Sequence, residues 1–167
     1  MSENRLQRLT DDLAAQLNEY QQLKTEVANA QARVGTHEPD SFELRAIGSI
    51  LHDVYHGAEG ICQDIAKEID RRVPVGANWH RDLLDQMTQP LVKTRPVVVQ
   101  PETAGLLEKY RAFRHVFRNI YGPKLDWTQM KPLLDNATPT IDTFAADIEQ
   151  FIAFLHLMTS DDKGDES

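Results

Sequence analysis

Apolar residues recur along this chain at the spacing of helices. Leu6, Leu9, Leu13, Leu17, Tyr20, Val27 and Val34 follow one another at steps of three, four or seven. Such steps return side chains to one face of an α-helix, and Gln, Asn, Glu, Lys and Asp fill the other faces. The pattern predicts a long first helix from about Glu3 to Val34, closed by Gly35 at its C-cap. Spacing of this coil-like kind predicts packing along another helix for the whole length.

A second stripe is wider: Phe42, Ile47, Ile50, Leu51, Val54, Tyr55, Ala58, Ile61, Cys62, Ile65 and Ile69. A face that broad belongs to a central helix with neighbours on two sides. Pro39 and Asp40 open it, with Pro near the first-turn position. It ends near Arg71 and Arg72, before Val73-Pro74-Val75-Gly76. Asn78 is placed to cap a short helix, about Trp79 to Met87. Pro90, Pro96 and Pro101 bracket an extended stretch, Leu91 to Gln100. Val97-Val98-Val99 has strand composition but no second strand to pair with, so it reads as a loop. Pro101 and Glu102 start a helix that runs to Tyr121 and stops at Gly122-Pro123. Two segments follow, near Trp127 to Asp135 and near Pro139 to Met158, with Pro132 and Pro139 at first-turn positions or at a kink. The expected fold is all-α: an up-and-down bundle of four long helices plus short ones. One domain is expected over residues 1–158, with an acidic, disordered tail over 159–167.

Composition narrows the function classes. The single cysteine, Cys62, sits on the apolar stripe and reads as core; alone, it excludes an intramolecular disulfide and a cysteine zinc site. The polar, charged start from Ser2 to Arg8 is not a signal peptide. No apolar run reaches the roughly 20 residues needed to span a bilayer. The expectation is therefore a cytoplasmic protein with no membrane partner. The formal net charge of −8 excludes a protein that coats nucleic acid with a large basic surface. Any RNA contact must come from a compact basic patch.

Such a patch exists. Lys109-Tyr110-Arg111-Ala112-Phe113-Arg114-His115-Val116-Phe117-Arg118-Asn119-Ile120-Tyr121 concentrates Lys109, Arg111, Arg114 and Arg118 in an acidic chain. Helical spacing puts Arg111, His115 and Arg118 on one stripe, and Phe113, Val116, Phe117 and Ile120 on the opposing apolar one. Like charges four apart oppose the helix unless something neutralises them. An RNA or nucleotide phosphate would do so, since guanidinium forks match phosphate oxygens and His moves protons near neutral pH. So would Glu and Asp from the first or last helix, which would make this an ordinary solvated face.

The run from Arg114 to Tyr121 resembles the signature helix of the HEPN superfamily, in particular the HepT-like ribonuclease toxins. Their motif is Arg, four to six residues, then His, with a Tyr two places on. The flanks Ile65-Ala66-Lys67-Glu68-Ile69-Asp70, Asn78-Trp79-His80-Arg81-Asp82-Leu83-Leu84 and Tyr110-Arg111-Ala112-Phe113-Arg114 resemble the same group. The likeness covers roughly residues 40 to 158. It implies a metal-independent endoribonuclease, the toxin of a toxin–antitoxin pair, with no cofactor. It also implies a homodimer with facing signature helices and a minimal nucleotidyltransferase antitoxin able to attach AMP to Tyr121. On that likeness Arg114, His115 and Asn119 are the catalytic positions, and Arg111 and Arg118 bind the RNA phosphate. A dimer also fits the chemistry, because one subunit's signature helix supplies one His, and two subunits double the inventory.

One position departs from the motif. Five residues after Arg114, where His is expected, stands Asn119, and a His stands immediately after the Arg, where many members carry Asn. Positions 115 and 119 are one turn apart, so His115 can serve the same phosphate, with Asn119 placed to orient it. Asn119 itself cannot act as acid or base. Either His115 substitutes, or the domain is inactive and binds RNA, nucleotide or a protein without cutting.

Other residues invite tests. His52 and His56, four apart with Glu59 nearby, have a metal-chelating spacing, although two His without a third clear ligand are commonly incidental, and no metal site is expected. Trp79 reads as a core anchor and His80 as a capping or surface residue, with a site role as the lesser alternative. Asp53 and Asp64 are candidates to pair with Arg114 or Arg118. Trp127 is expected to pack at the base of the last helix.

Overall fold

Asp40 shows how locally this chain starts its central helix. Its carboxylate accepts the Glu43 N–H at 2.8 Å, and the Glu43 carboxylate accepts the Asp40 N–H at 3.0 Å. This capping box satisfies two otherwise unpaired donors of the first turn. Pro39 therefore lies just outside the helix rather than in its first turn. The computed structural model describes residues 3–119 and 124–161. Its elements are α1 (Glu3–Gln21), α2 (Leu23–Val34), α3 (Ser41–Ile65), α4 (Trp79–Met87), α5 (Pro101–Asn119), α6 (Trp127–Asp135) and α7 (Ala137–Asp161). Among the described residues the fold is all-α, with one isolated bridge between Leu91 and Arg95.

The expected first helix is broken at Gln22. Gln22 N–H bonds Glu19 O and Thr25 N–H bonds Gln22 O, both at 3.0 Å. This three-residue spacing tightens the turn without reversing the chain. Gly35 closes α2 with a positive φ of 54°, its N–H on Gln31 O. α3 widens into a π turn over Ala66–Asp70 before stopping at Arg71. α7 starts at Ala137 and runs to Asp161, so residues 159–161 belong to a helix; 162–167 lie outside the described residues. Pro132 stands inside α6 and Pro139 in the first turn of α7.

Side-chain pairs give the helix directions. Arg5 bonds Glu68, Gln16 bonds Asp64 and Tyr20 bonds the Val54 carbonyl, so α1 and α3 are antiparallel. Gln21 bonds Glu149 and Lys24 bonds Asp142, so α7 runs against α1 and α2. α5 runs against α3, with Phe117 over Gly48 and Arg114 nearer the α3 C-terminal half. The four long columns thus alternate, as an up-and-down bundle requires. α3 is central and buries Ile47, Leu51, Val54, Tyr55, Ala58, Ile61, Cys62 and Ile65.

Two glycines let the columns close. A β-carbon on Gly57 would lie 2.6 Å from Tyr20 Cδ2, and one on Gly48 would lie 2.5 Å from Phe117 Cε2. The Tyr20 ring cannot retreat easily. Its hydroxyl donates to Val54 O at 2.9 Å and its edge meets Phe144 with centroids 5.4 Å apart. Gly57→Ala should therefore lower stability by about 1–3 kcal/mol through overpacking, although Ala is intrinsically the better helix former. Urea unfolding checks this; an unchanged or higher midpoint would mean that Tyr20 yields.

The segment between α4 and α5 is a loop, held by one buried ion pair. Arg95 Nε and Nη2 donate to the two Asp70 oxygens at 2.6 Å each, with side chains 1% and 4% exposed. Arg95 also donates to the carbonyls of Gln86, Gln89 and Pro96. Gln86 completes the cluster by donating to Asp70 at 2.6 Å. Val98 and Val99 N–H groups both reach Met87 O, so the three-valine run caps α4 instead of pairing as a strand. No helix among the described residues is long and apolar enough to cross a membrane.

Candidate functional site

α5 packs its Leu107, Tyr110 and Phe113 inward, and this aims Arg111, Arg114, His115 and Arg118 away from the core toward the start of α4. Ala77, Asn78, His80, Arg111, Ala112, Arg114, His115, Arg118 and Asn119 line an open depression of about 640 Å³ there. The sequence-derived positions Arg111, Arg114, His115, Arg118 and Asn119 all border this one hollow. Tyr121 lies outside the described residues, as does Ile120. Val116 is not part of a buried stripe: it is 40% exposed and borders a different hollow with Phe113, Met130 and Leu133.

The cations are not equivalent. Arg111 donates to both oxygens of Glu108, at 2.7 and 2.5 Å. That bidentate pair holds the Glu108 carboxyl below its usual range and ties up the Arg111 fork. The neutralising acid thus comes from the same helix, not from the first or last. Arg118 and His115 are exposed at the mouth. Arg114 is half-buried, and its Nε is buried with no hydrogen-bond acceptor among the described residues. Its Nη1 instead lies 3.1 Å from His80 Nε2.

Asp53 and Asp64, the expected acidic partners of the arginines, are elsewhere. Asp53 meets His52, and Asp64 accepts from Gln16. The acid behind Arg114 is Glu59, reached through His80: His80 Nδ1 lies 2.5 Å from Glu59 Oε2. Glu59 is 5% exposed and is taken up by His80, while the His52 and His56 rings stack 5.6 Å apart. Tyr55 Oη donates to the His80 carbonyl at 3.2 Å, fixing the start of α4. Burial, with the Glu59 charge second, pushes the Tyr55 phenol up, which keeps it a neutral donor. Trp79 is half-buried against the core and lies over the His80 ring, centroids 3.6 Å apart. Trp127 also packs half-buried on the core.

Two expectations about capping and orientation change. Asn78 stands at the α4 N-cap, but its side chain makes no cap bond and borders the depression. Asn119 Nδ2 donates to the His115 backbone carbonyl at 2.7 Å, an i to i−4 contact. It therefore steadies the last turn of α5 rather than orienting the His115 ring.

A family model described as HepT-like protein matches residues 46–155, from the first turns of α3 to within a few residues of the end of α7. The chain belongs to the HepT-like family, within the HEPN superfamily. Searches of curated proteins and of solved structures found no match. The matched span of this HepT-like chain contains the whole depression, including His80, and the buried Glu59 behind it. α1 and α2 lie before it and cover the other side of α3.

Proposed function

We propose that this HepT-like chain is a toxin of a toxin–antitoxin pair and acts as a metal-independent endoribonuclease. The observation that carries the reading is the convergence of Arg114, His115 and Arg118 on one open depression in a chain of net charge −8. Arg118 and Arg114 bind the phosphate on either side of the cut. Arg114 borders the depression with its guanidinium against His80, placed to give a phosphate a charge-assisted bond. His115, exposed at the mouth and beside Arg114, moves a proton. In the proposed assembly two copies face each other across a two-fold axis. The partner is a minimal nucleotidyltransferase antitoxin that attaches AMP to Tyr121. A phosphate ester there would oppose RNA by size and by negative charge.

A specific observation favours a second reading, a catalytically inactive module that binds RNA, nucleotide or protein. The motif position holds Asn119, and its amide engages backbone. Incubating the purified protein with RNA in the presence of a chelator separates the two readings: cleavage supports the toxin, and binding alone supports the module.

The toxin, and a module that binds RNA or nucleotide, both require a phosphate site. Arg118→Ala should weaken RNA binding by about 1.5–3 kcal/mol, the range for a charge-assisted hydrogen bond, and flatten the salt dependence. Arg118 is exposed, so its melting temperature should match wild type. Arg111→Ala should cost less, because Arg111 is already paired with Glu108. Binding titrations at two salt concentrations check both. Unchanged affinity in Arg118→Ala would mean an ordinary solvated face.

A further inference from the structure

Glu59 and the Arg95–Asp70 pair place charge in the core among the described residues. Arg95 is accounted for by Asp70 and three carbonyls. Glu59 faces one imidazole, His80 at 2.5 Å. A buried carboxylate is costly unless a donor answers it, and here the donor also borders the proposed RNA site.

The Glu59 contact sets the tautomer of His80. A carboxylate only accepts, so His80 Nδ1 carries the proton given to Glu59. Arg114 Nη1 lies 3.1 Å from His80 Nε2 and 3.5 Å from Nδ1, so the guanidinium lies against the ring face, and in the neutral ring the lone pair is on Nε2. The result is a chain of three groups, Glu59 to His80 to Arg114, drawn from α3, α4 and α5. It resembles the arrangement in which a carboxylate orients a histidine base.

We propose that His80 is the general base of this site, that Glu59 is its positioning residue, and that Arg114, lying against the His80 ring, holds the substrate phosphate beside it. The inference rests on the ribonuclease reading. In the step it describes, His80 Nε2 takes the proton of the ribose 2′-hydroxyl while the 2′ oxygen attacks phosphorus. The O2′–P bond forms and the P–O5′ bond breaks. The departing 5′ oxygen takes a proton from protonated His115, leaving a 2′,3′-cyclic phosphate and a 5′-hydroxyl. His80 ends protonated and His115 neutral, and solvent exchange restores both. One subunit then holds two proton-carrying groups, so the exchange of His for Asn119 does not remove an acid or a base from the site.

The test is single-turnover cleavage of a short RNA in chelator by wild type, His80→Gln, His80→Ala and Glu59→Gln. Binding of the 2′-O-methyl form of the same RNA runs alongside. Gln at 80 can still donate to Glu59, but it cannot take a proton. His80→Gln should therefore melt near wild type, bind the 2′-O-methyl RNA within about twofold, and cleave roughly 100-fold or more slowly, the ordinary contribution of a general base. Added imidazole should restore part of the rate to His80→Ala, and Glu59→Gln should fall between wild type and His80→Gln. His80→Gln cleaving within a few-fold of wild type, or loss in His80→Ala that imidazole does not relieve, overturns the base role and leaves the ribonuclease reading standing. A wild-type chain that cuts nothing overturns both.

Discussion

His115→Ala should slow RNA cleavage by roughly 10²- to 10⁴-fold, the usual range for a residue that transfers a proton in the transition state. His115 is exposed on α5, and none of the hydrogen bonds among the described residues engages its ring, so folding should be untouched. The companion variant is Asn119→His, which places His at the expected position. With an active wild type, Asn119→His should cleave equally well or better. Its one loss is the 2.7 Å bond to the His115 carbonyl at the end of a helix. The decisive outcome is a gain: if wild type is inert and Asn119→His cuts RNA, this chain is an inactive member of the family. A cleavage gel over the three proteins separates the cases.

The second large effect is on stability. Asp70→Ala should cost about 3–5 kcal/mol, because it leaves the Arg95 guanidinium buried without its counter-charge. The same change frees Gln86 from Asp70 and loosens the C-terminal half of α4, the helix that begins with Trp79 and His80. The double variant Asp70→Leu with Arg95→Met should recover most of the loss, since apolar replacement of both partners of a buried pair is often neutral. Urea unfolding of the two singles and the double gives the coupling directly. Near-additive losses would show that Arg95 is held by the three carbonyls and not by Asp70.

These two predictions sit on different levels of legibility. His115 and its neighbours stand in one stretch of a single helix, so helical spacing alone put Arg111, His115 and Arg118 on one side. The Asp70–Arg95 pair joins residues 25 apart through a π turn and an irregular loop, neither of which periodicity reports. The Arg111–Glu108 pair was within reach, being three apart on one helix. Glu59 had a signal too: it follows Tyr55 by four on a face that is otherwise apolar, and a charge there demands a buried partner.

The sequence by itself determined the helices, because an apolar face and its caps are local. Asp40 with Glu43, Gly35, and the steps of three and four through α3 and α5 contain what those elements need. It also determined which residues line the basic side of α5, and the likeness to the HepT-like family. Only the tertiary structure decided who meets them. His80 is 21 residues from Glu59 and 34 from Arg114, and the three meet because α3, α4 and α5 cross at one place. The angle of that crossing depends on the summed fit of side chains such as Phe117 on Gly48. No window of sequence contains that sum, and it is what brings His80 against Glu59 and Arg114.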